Sequence, residues 1–311
     1  GYGTSTVKLL IEKGADIHAK DSLGMGTIHN AAFGDMPEAI ELLREKGVAL
    51  DSIGHAGRTT IDYAAAGGAL SAYEYLKKAG ADLRAVADDE VTVLHDAVAG
   101  GSREIVADLI EEGLDVKAVS KEGSTPLHVA VSFEHTKIAK QIIEAGGYND
   151  LKNAKGETPF SYVSKLLDED AIELMDALKQ KGANIDPVMA NGNTPLRELV
   201  QPEQSYTNSE PVTEIPFFNI EKIDWLIENG ADVNAKNTKN PKAGSILNTL
   251  IQYGDLDDEE NVKRLERVLK AGADTNQLDK DGNNALHLFL NKLETLDHVF
   301  DVVGEDKEHL A

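Results

Sequence analysis

Thr125-Pro126-Leu127-His128-Val129-Ala130, followed by the aliphatic pair Ile142-Ile143 and a closing Gly146, is one copy of a pattern that returns along the chain. Its closing beat is the most regular: Gly14-Ala15-Asp16, Gly47-Val48-Ala49, Gly80-Ala81-Asp82 and Gly113-Leu114-Asp115 each lie 33 residues after the last, and Gly146 keeps the interval. The beat then drifts to Gly182, Gly230 and Gly272, so the unit persists while accepting insertions of about 3, 15 and 9 residues. A period in this range marks a solenoid of stacked supersecondary units. The opening beat varies as Ile28-His29-Asn30-Ala31-Ala32, Val93-Leu94-His95-Asp96-Ala97, Thr158-Pro159-Phe160, Thr194-Pro195-Leu196 and Ala285-Leu286-His287.

Each opening predicts a short helix. A Thr hydroxyl caps free amides, and Pro fits the first turn, where its missing N–H costs nothing. A second helix carries the pairs Leu9-Leu10, Leu42-Leu43, Leu109-Ile110, Ile142-Ile143, Leu226-Ile227 and Val268-Leu269, and stops at a Gly able to close it in the left-handed conformation. Polar linkers such as Ala19-Lys20-Asp21-Ser22-Leu23-Gly24 and Asn276 to Gly282 read as hairpin-like fingers.

These residues strongly resemble the ankyrin repeat, whose signature is TPLHxA, a second helix and a Gly-Ala-Asp turn. The resemblance covers essentially the whole chain and implies an all-α solenoid of helix-turn-helix units with short β-hairpin-like fingers. Nine units are expected in a single domain: a partial one at 1–20 without its inner helix, then 21–53, 54–86, 87–119, 120–152, 153–188, 189–236, 237–278 and 279–311. Fingers and inner helices are expected to line a concave face. Ala31, Ala32, Ala64, Ala65, Ala97 and Ala130 make the inner layer thinner than the Leu and Ile of the outer helices, which curves a stack toward that side. The His slot is lost to Asp62, Ser161, Arg197 and Asn248, so finger-bracing hydrogen bonds must be remade there. Gln201 to Pro216, with Pro202 and Pro211, reads as an inserted loop opposite the fingers. The chain thus divides into a strict half through about Lys152 and a looser half beyond it.

Composition narrows the partners. The 311 residues carry a formal net charge of −23. That charge repels phosphate backbones and anionic lipid, so neither nucleic acid nor membrane is expected, and a basic protein surface is the natural complement. No run reaches the roughly 18 apolar residues of a membrane span. Zero cysteines exclude disulfides, thiolate metal sites and a cysteine nucleophile. A solenoid of this length is expected to be a monomer. The start at Gly1 reads as a trimmed fragment. The composition is compatible with a cytoplasmic or, in a bacterium, periplasmic or secreted protein and selects none of them.

Catalytic and metal motifs find little support. His29, His95, His128 and His287 occupy the TPLH slot, one per layer, whereas zinc ligands converge within about 2.1 Å of one ion. Asp255, Asp257, Glu259, Asn261 and Glu266 match calcium-loop positions, but Glu260 stands where the sharp turn needs Gly and Lys263 falls on a liganding position. The same carboxylates suit the start of a helix at Asn261 to Lys270. Asp279-Lys280-Asp281-Gly282-Asn283 is a finger turn. GxSxG, GxxxxGK and HExxH are all missing from the sequence, and Ser5-Thr6-Val7-Lys8 stands without companion motifs. The expectation is a protein that is not an enzyme and needs no cofactor or metal.

Binding remains, and the resemblance places it on finger tips and the free side of the inner helices. There stand Leu23, Met25 and Phe33; Arg58; Asp88 and Asp89; and Lys121 and Phe133. Exposed apolar residues at such places anchor partners, while Asp88 and Asp89 suit a basic residue. The alternative is that Phe33 and Phe133 tuck against neighbouring helices. Three roles fit: a scaffold or adaptor, an inhibitor or immunity protein capping an enzyme, or the recognition region of a larger toxin, effector or enzyme.

Overall fold

The computed structural model describes residues 2–166, 170–201, 203–207, 210–214, 220–241, 243–254 and 258–293. Its contacts group into two units, Gly1–Ala183 and Asn184–Ala311.

In the first unit, α1 (Tyr2–Glu12) is followed by the pairs α2 (Thr27–Phe33) and α3 (Pro37–Glu45), α4 (Thr60–Ala66) and α5 (Leu70–Lys78), α6 (Val93–Ala99) and α7 (Arg103–Glu111), and α8 (Pro126–Ser132) and α9 (Thr136–Glu144). A 3-10 segment, Pro159–Lys165, and α10 (Ala171–Gln180) form the last pair. The first helix of each pair packs on the first helix of the next, and the second on the second, giving an inner row and an outer row. The fingers between pairs close by single antiparallel bridges at Lys20 and Gly26, Ile53 and Thr59, and Val86 and Thr92.

The repeat pattern explains this packing. Thr125 Oγ1 accepts the His128 amide at 3.4 Å, the cap expected of the opening beat. The closing Gly80 sits at φ +90°, where a side chain would be strained. Ala31, Ala32, Ala64, Ala65, Ala97 and Ala130 are buried, as are Ile40, Leu43, Leu76, Leu109, Ile142 and Ile143 across from them. Burying such aliphatic side chains contributes roughly 1.5–3 kcal/mol each. Leu9 and Leu10, the corresponding pair on α1, are exposed.

Close approach along the inner row is licensed by glycine. A Cβ added at Gly67 would lie 2.4 Å from the Phe33 carbonyl oxygen, and one at Gly100 would lie 2.2 Å from that of Ala65. In the next layer the same place is Phe133, which has a Cβ.

In the second unit α11 (Pro195–Leu199) packs on α12 (Ile220–Glu228), and α13 (Ile246–Tyr253) on α14 (Glu259–Lys270), with a further helix at 285–293. The insertion is not a plain loop: β1 (Glu203–Thr207) and β2 (Glu210–Glu214) pair antiparallel from Glu203 opposite Glu214 to Thr207 opposite Glu210. Proline misled the sequence reading here, since Pro211 is tolerated in a two-stranded ribbon where each strand leaves one side unpaired. Helix α14 begins at Glu259, and Asn261 Oδ1 accepts Arg264 Nη1 at 2.5 Å. Asp255 and Asp257 of the calcium-loop match lie outside the described residues.

Candidate functional site

The His slot ties each layer to the next finger. In His29, His95 and His128, Nδ1 accepts the backbone N–H of Gly26, Thr92 and Thr125 at 2.9, 3.3 and 3.2 Å. That leaves the proton on Nε2, which donates to the carbonyls of Ser52, Ser124 and Leu151 at 2.8, 3.1 and 3.1 Å. Burial holds all three rings below the ordinary histidine pKa, as backbone capping by a neutral imidazole requires. Where the slot changes, the ties are remade. Asp62 Oδ2 accepts the amide and hydroxyl of Thr59 at 2.7 and 2.8 Å, which remakes the capping half of the tie. Arg58 supplies the connection to the next finger, donating from Nη1 to Asp89 at 3.1 Å. In the second unit, Arg197 donates to the carbonyls of Ala235 and Gly244 at 3.3 and 2.6 Å, and Asn248 to that of Gln277 at 3.0 Å.

Backbone bonds align the fingers as well. The amides of Asp88, Lys121 and Ala154 donate to the carbonyls of Ala56, Asp89 and Glu122 at 2.9, 2.8 and 2.7 Å. Fingers and inner helices thereby become the two walls of one surface.

Between those walls lies a groove of about 450 Å³. Its floor is one repeat position in three successive layers, Asp96 on α6, Val129 on α8 and Tyr162 on the 3-10 segment. Arg58, Asp89, Glu122 and Lys155 stand along the finger side, and Phe133 forms the rim. The groove spans the layers where Phe133 takes the place of Gly100, so the backbone contact that Gly100 makes with Ala65 cannot be repeated by Phe133. Phe133 is 57% exposed and stacks on the His135 ring at 6.1 Å between centroids.

The groove floor carries an unusual charge. Asp96 is only 7% exposed, and Arg58 Nε donates to its two oxygens at 3.3 and 3.1 Å. Burial pushes the Asp96 carboxyl up to about 7, against the pull of Arg58 and with help from neighbouring Asp62. At the far end, Tyr162 donates to Glu157 Oε2 at 2.7 Å and accepts from Asn153 Nδ2 at 3.0 Å. Burial, then Glu157, raises its hydroxyl to about 12.

Of the residues singled out by sequence, Arg58, Asp89 and Phe133 line this groove together. Leu23 and Phe33 are exposed, at 60% and 52%, and Met25 is half-buried; all three belong to an earlier layer and lie outside the groove. Asp88 and Lys121 are exposed on their fingers beside it. Sequence reasoning missed Asp96, Val129, Tyr162 and Lys155. Three of them were within reach, because Asp96, Val129 and Tyr162 are spaced by the 33-residue period and fall on the free side of the inner helix.

Layers of paired helices with hydrogen-bonded fingers and a neutral His tie in each regular layer define a repeat scaffold. Comparison names it. Residues 1–87 and 80–151 match a family model that describes ankyrin repeats in sets of three copies, so this stretch of the chain is ankyrin-repeat sequence. Beyond that stretch the fold carries the likeness. The human ASB11 ankyrin repeat domain superposes with a TM-score of 0.57 at 19% identity, over 80% of this chain and 99% of that one. The ankyrin repeat domain of Bcl-3, described as a unique member of the IkappaB protein family, gives 0.45 at 24% identity, over 63% and 86%. No curated protein sequence matches. Ankyrin repeats are protein-interaction modules. Among the described residues no helix is long and apolar enough to cross a membrane.

Proposed function

We propose that this chain is a non-enzymatic interaction module that binds a partner protein through the finger side of its first unit, and that the partner presents a basic surface. The observation that carries the reading is the groove at Phe133, where a half-exposed aromatic stands at a place that the two preceding layers fill with glycine. An aromatic that the packing does not need, on the rim of a concavity, is the usual form of a binding anchor. Leu23, Met25 and Phe33 extend the apolar surface toward the N-terminal side, and Asp88, Asp89 and Lys121 supply charge along the fingers. The net charge of −23 supports a basic partner.

Capture of a partner by the whole chain tests this, with Phe33→Ala and Phe133→Ala compared to the unaltered protein. Both side chains are exposed, so neither variant is expected to lose more than about 0.5 kcal/mol of stability. Loss of a central aromatic anchor typically costs 2 kcal/mol or more of binding, about 30-fold in affinity. Capture unchanged in both variants overturns the concave-face reading.

A further inference from the structure

The groove's charges say more than that a partner binds. Resting on the reading above, we infer that the groove receives one cationic side chain, a lysine or arginine on a short segment of the partner, seated beside Asp96 with an adjoining apolar residue on Val129 and Phe133.

Asp96 is the starting point because the fold does not ask for it. The same repeat position is Tyr63, Val129 and Tyr162 in the neighbouring layers. An apolar or aromatic residue therefore satisfies the packing, whereas a carboxylate at this depth is disfavoured by desolvation. Residues that break the local pattern without a structural return concentrate at functional sites. Arg58 does not explain Asp96 away. Its guanidinium already serves as the tie to Asp89 on the next finger, and its Nε reaches Asp96 in the same pose.

The balance of charge fixes the sign of the ligand. Asp89, Asp96 and Glu122 face the groove against Arg58 and Lys155, and Asp62 adds a further carboxyl behind the floor. Arg58 is engaged with two of those carboxylates, so an incoming anion meets Asp89, Asp96 and Glu122 with little free cation to receive it. With Asp96 ionised, three carboxylates stand against two cations along the groove, and that balance favours a cation. At about 450 Å³ the groove holds a few side chains rather than a folded surface, which is why the ligand is a short segment.

The groups facing Asp96 make the interaction sensitive to protons. They are Arg58 and Asp89 from the fingers, Asp62 from α4, His95 on its own helix, and Glu122 and Lys155 farther along the groove. A cation favours the ionised carboxyl, and with Asp96 titrating near 7 the binding-competent fraction rises about ten-fold from pH 6 to pH 8.

The experiment uses the whole chain and three peptides: acetyl-Leu-Arg-Leu-amide, its citrulline isostere without the charge, and acetyl-Leu-Glu-Leu-amide. Backbone amide shifts at Val129, Phe133 and Ala154 report binding in the groove at pH 6, 7 and 8. The arginine peptide is expected to bind at least ten-fold tighter than either other peptide, and about ten-fold tighter at pH 8 than at pH 6. In Asp96→Asn the preference for arginine over citrulline shrinks and the pH dependence flattens. The citrulline comparison is made on the unaltered protein, so it holds even if that variant fails to fold. Equal binding of arginine and citrulline peptides overturns the cation site while leaving the groove as a peptide site. Preference for the glutamate peptide, or no shift with any peptide, overturns it too, and the capture experiment on Phe33 and Phe133 then judges the wider reading separately.

Discussion

Gly100 and Phe133 occupy equivalent places in adjacent layers, and each predicts a different outcome on substitution. A methyl group at Gly100 would fall 2.2 Å from the Ala65 carbonyl, 2.8 Å from the Gly68 amide and 2.9 Å from the Ala66 carbonyl. All three are backbone atoms that cannot swing aside. Gly100→Ala is expected to destabilise the first unit by about 1–3 kcal/mol in urea titration, the range for overpacked sites. Two residue types in the same region respond to acid with opposite signs. The buried His29, His95 and His128 hold their pKa below the ordinary 6.5, so an unfolded chain takes the proton first. Their contribution to stability is full above about 6.5 and is lost as pH falls below it. Asp96, at about 7 folded against 3.8 unfolded, takes its proton first in the folded state, so stability gains as pH falls from 7. Asp96→Asn removes that compensating gain. Its melting temperature is expected to drop more between pH 7.5 and 5.5 than that of the unaltered protein, and an equal drop contradicts the assignment.

At the level of elements, the helix pairs were legible because a strict 33-residue period fixes cap, apolar stripe and stop together. The finger ties were half legible. Their loss at Asp62, Ser161, Arg197 and Asn248 could be read, but their replacements depend on side-chain reach. Arg197 shows why: it is 2% exposed and spans to two carbonyls in the next layer, a contact no local pattern encodes. Arg197→Ala leaves both carbonyls without that donor, at roughly 1–3 kcal/mol for each buried unpaired group. Hydrogen exchange at α11 and at Gly244 is expected to accelerate, with α4 as the unaffected control, since repeat stability is set by nearest neighbours. The hairpin of β1 and β2 was not legible, because Pro211 counts as a breaker in a pattern search while a two-stranded ribbon tolerates it. The groove was legible only in part. Phe133 and Arg58 stand out as single residues, but the floor emerges only when layers are compared position by position.

For the molecule as a whole, a charge of −23 acts at a distance. If a basic partner is steered by it, association at 50 mM salt is expected to be at least about ten-fold faster than at 500 mM, as the screening length shrinks from above 10 Å to a few ångströms. Stopped-flow mixing with the captured partner measures this, and a rate indifferent to salt excludes a basic partner. The finger-to-finger amide bonds of the first unit carry a different consequence. Asp88 to Ala56, Lys121 to Asp89 and Ala154 to Glu122 each join only adjacent layers. Tension along the stack therefore loads them in series, not side by side. Such an array yields one link at a time and closes again link by link, so the row of fingers behaves as a soft spring rather than a rigid strut.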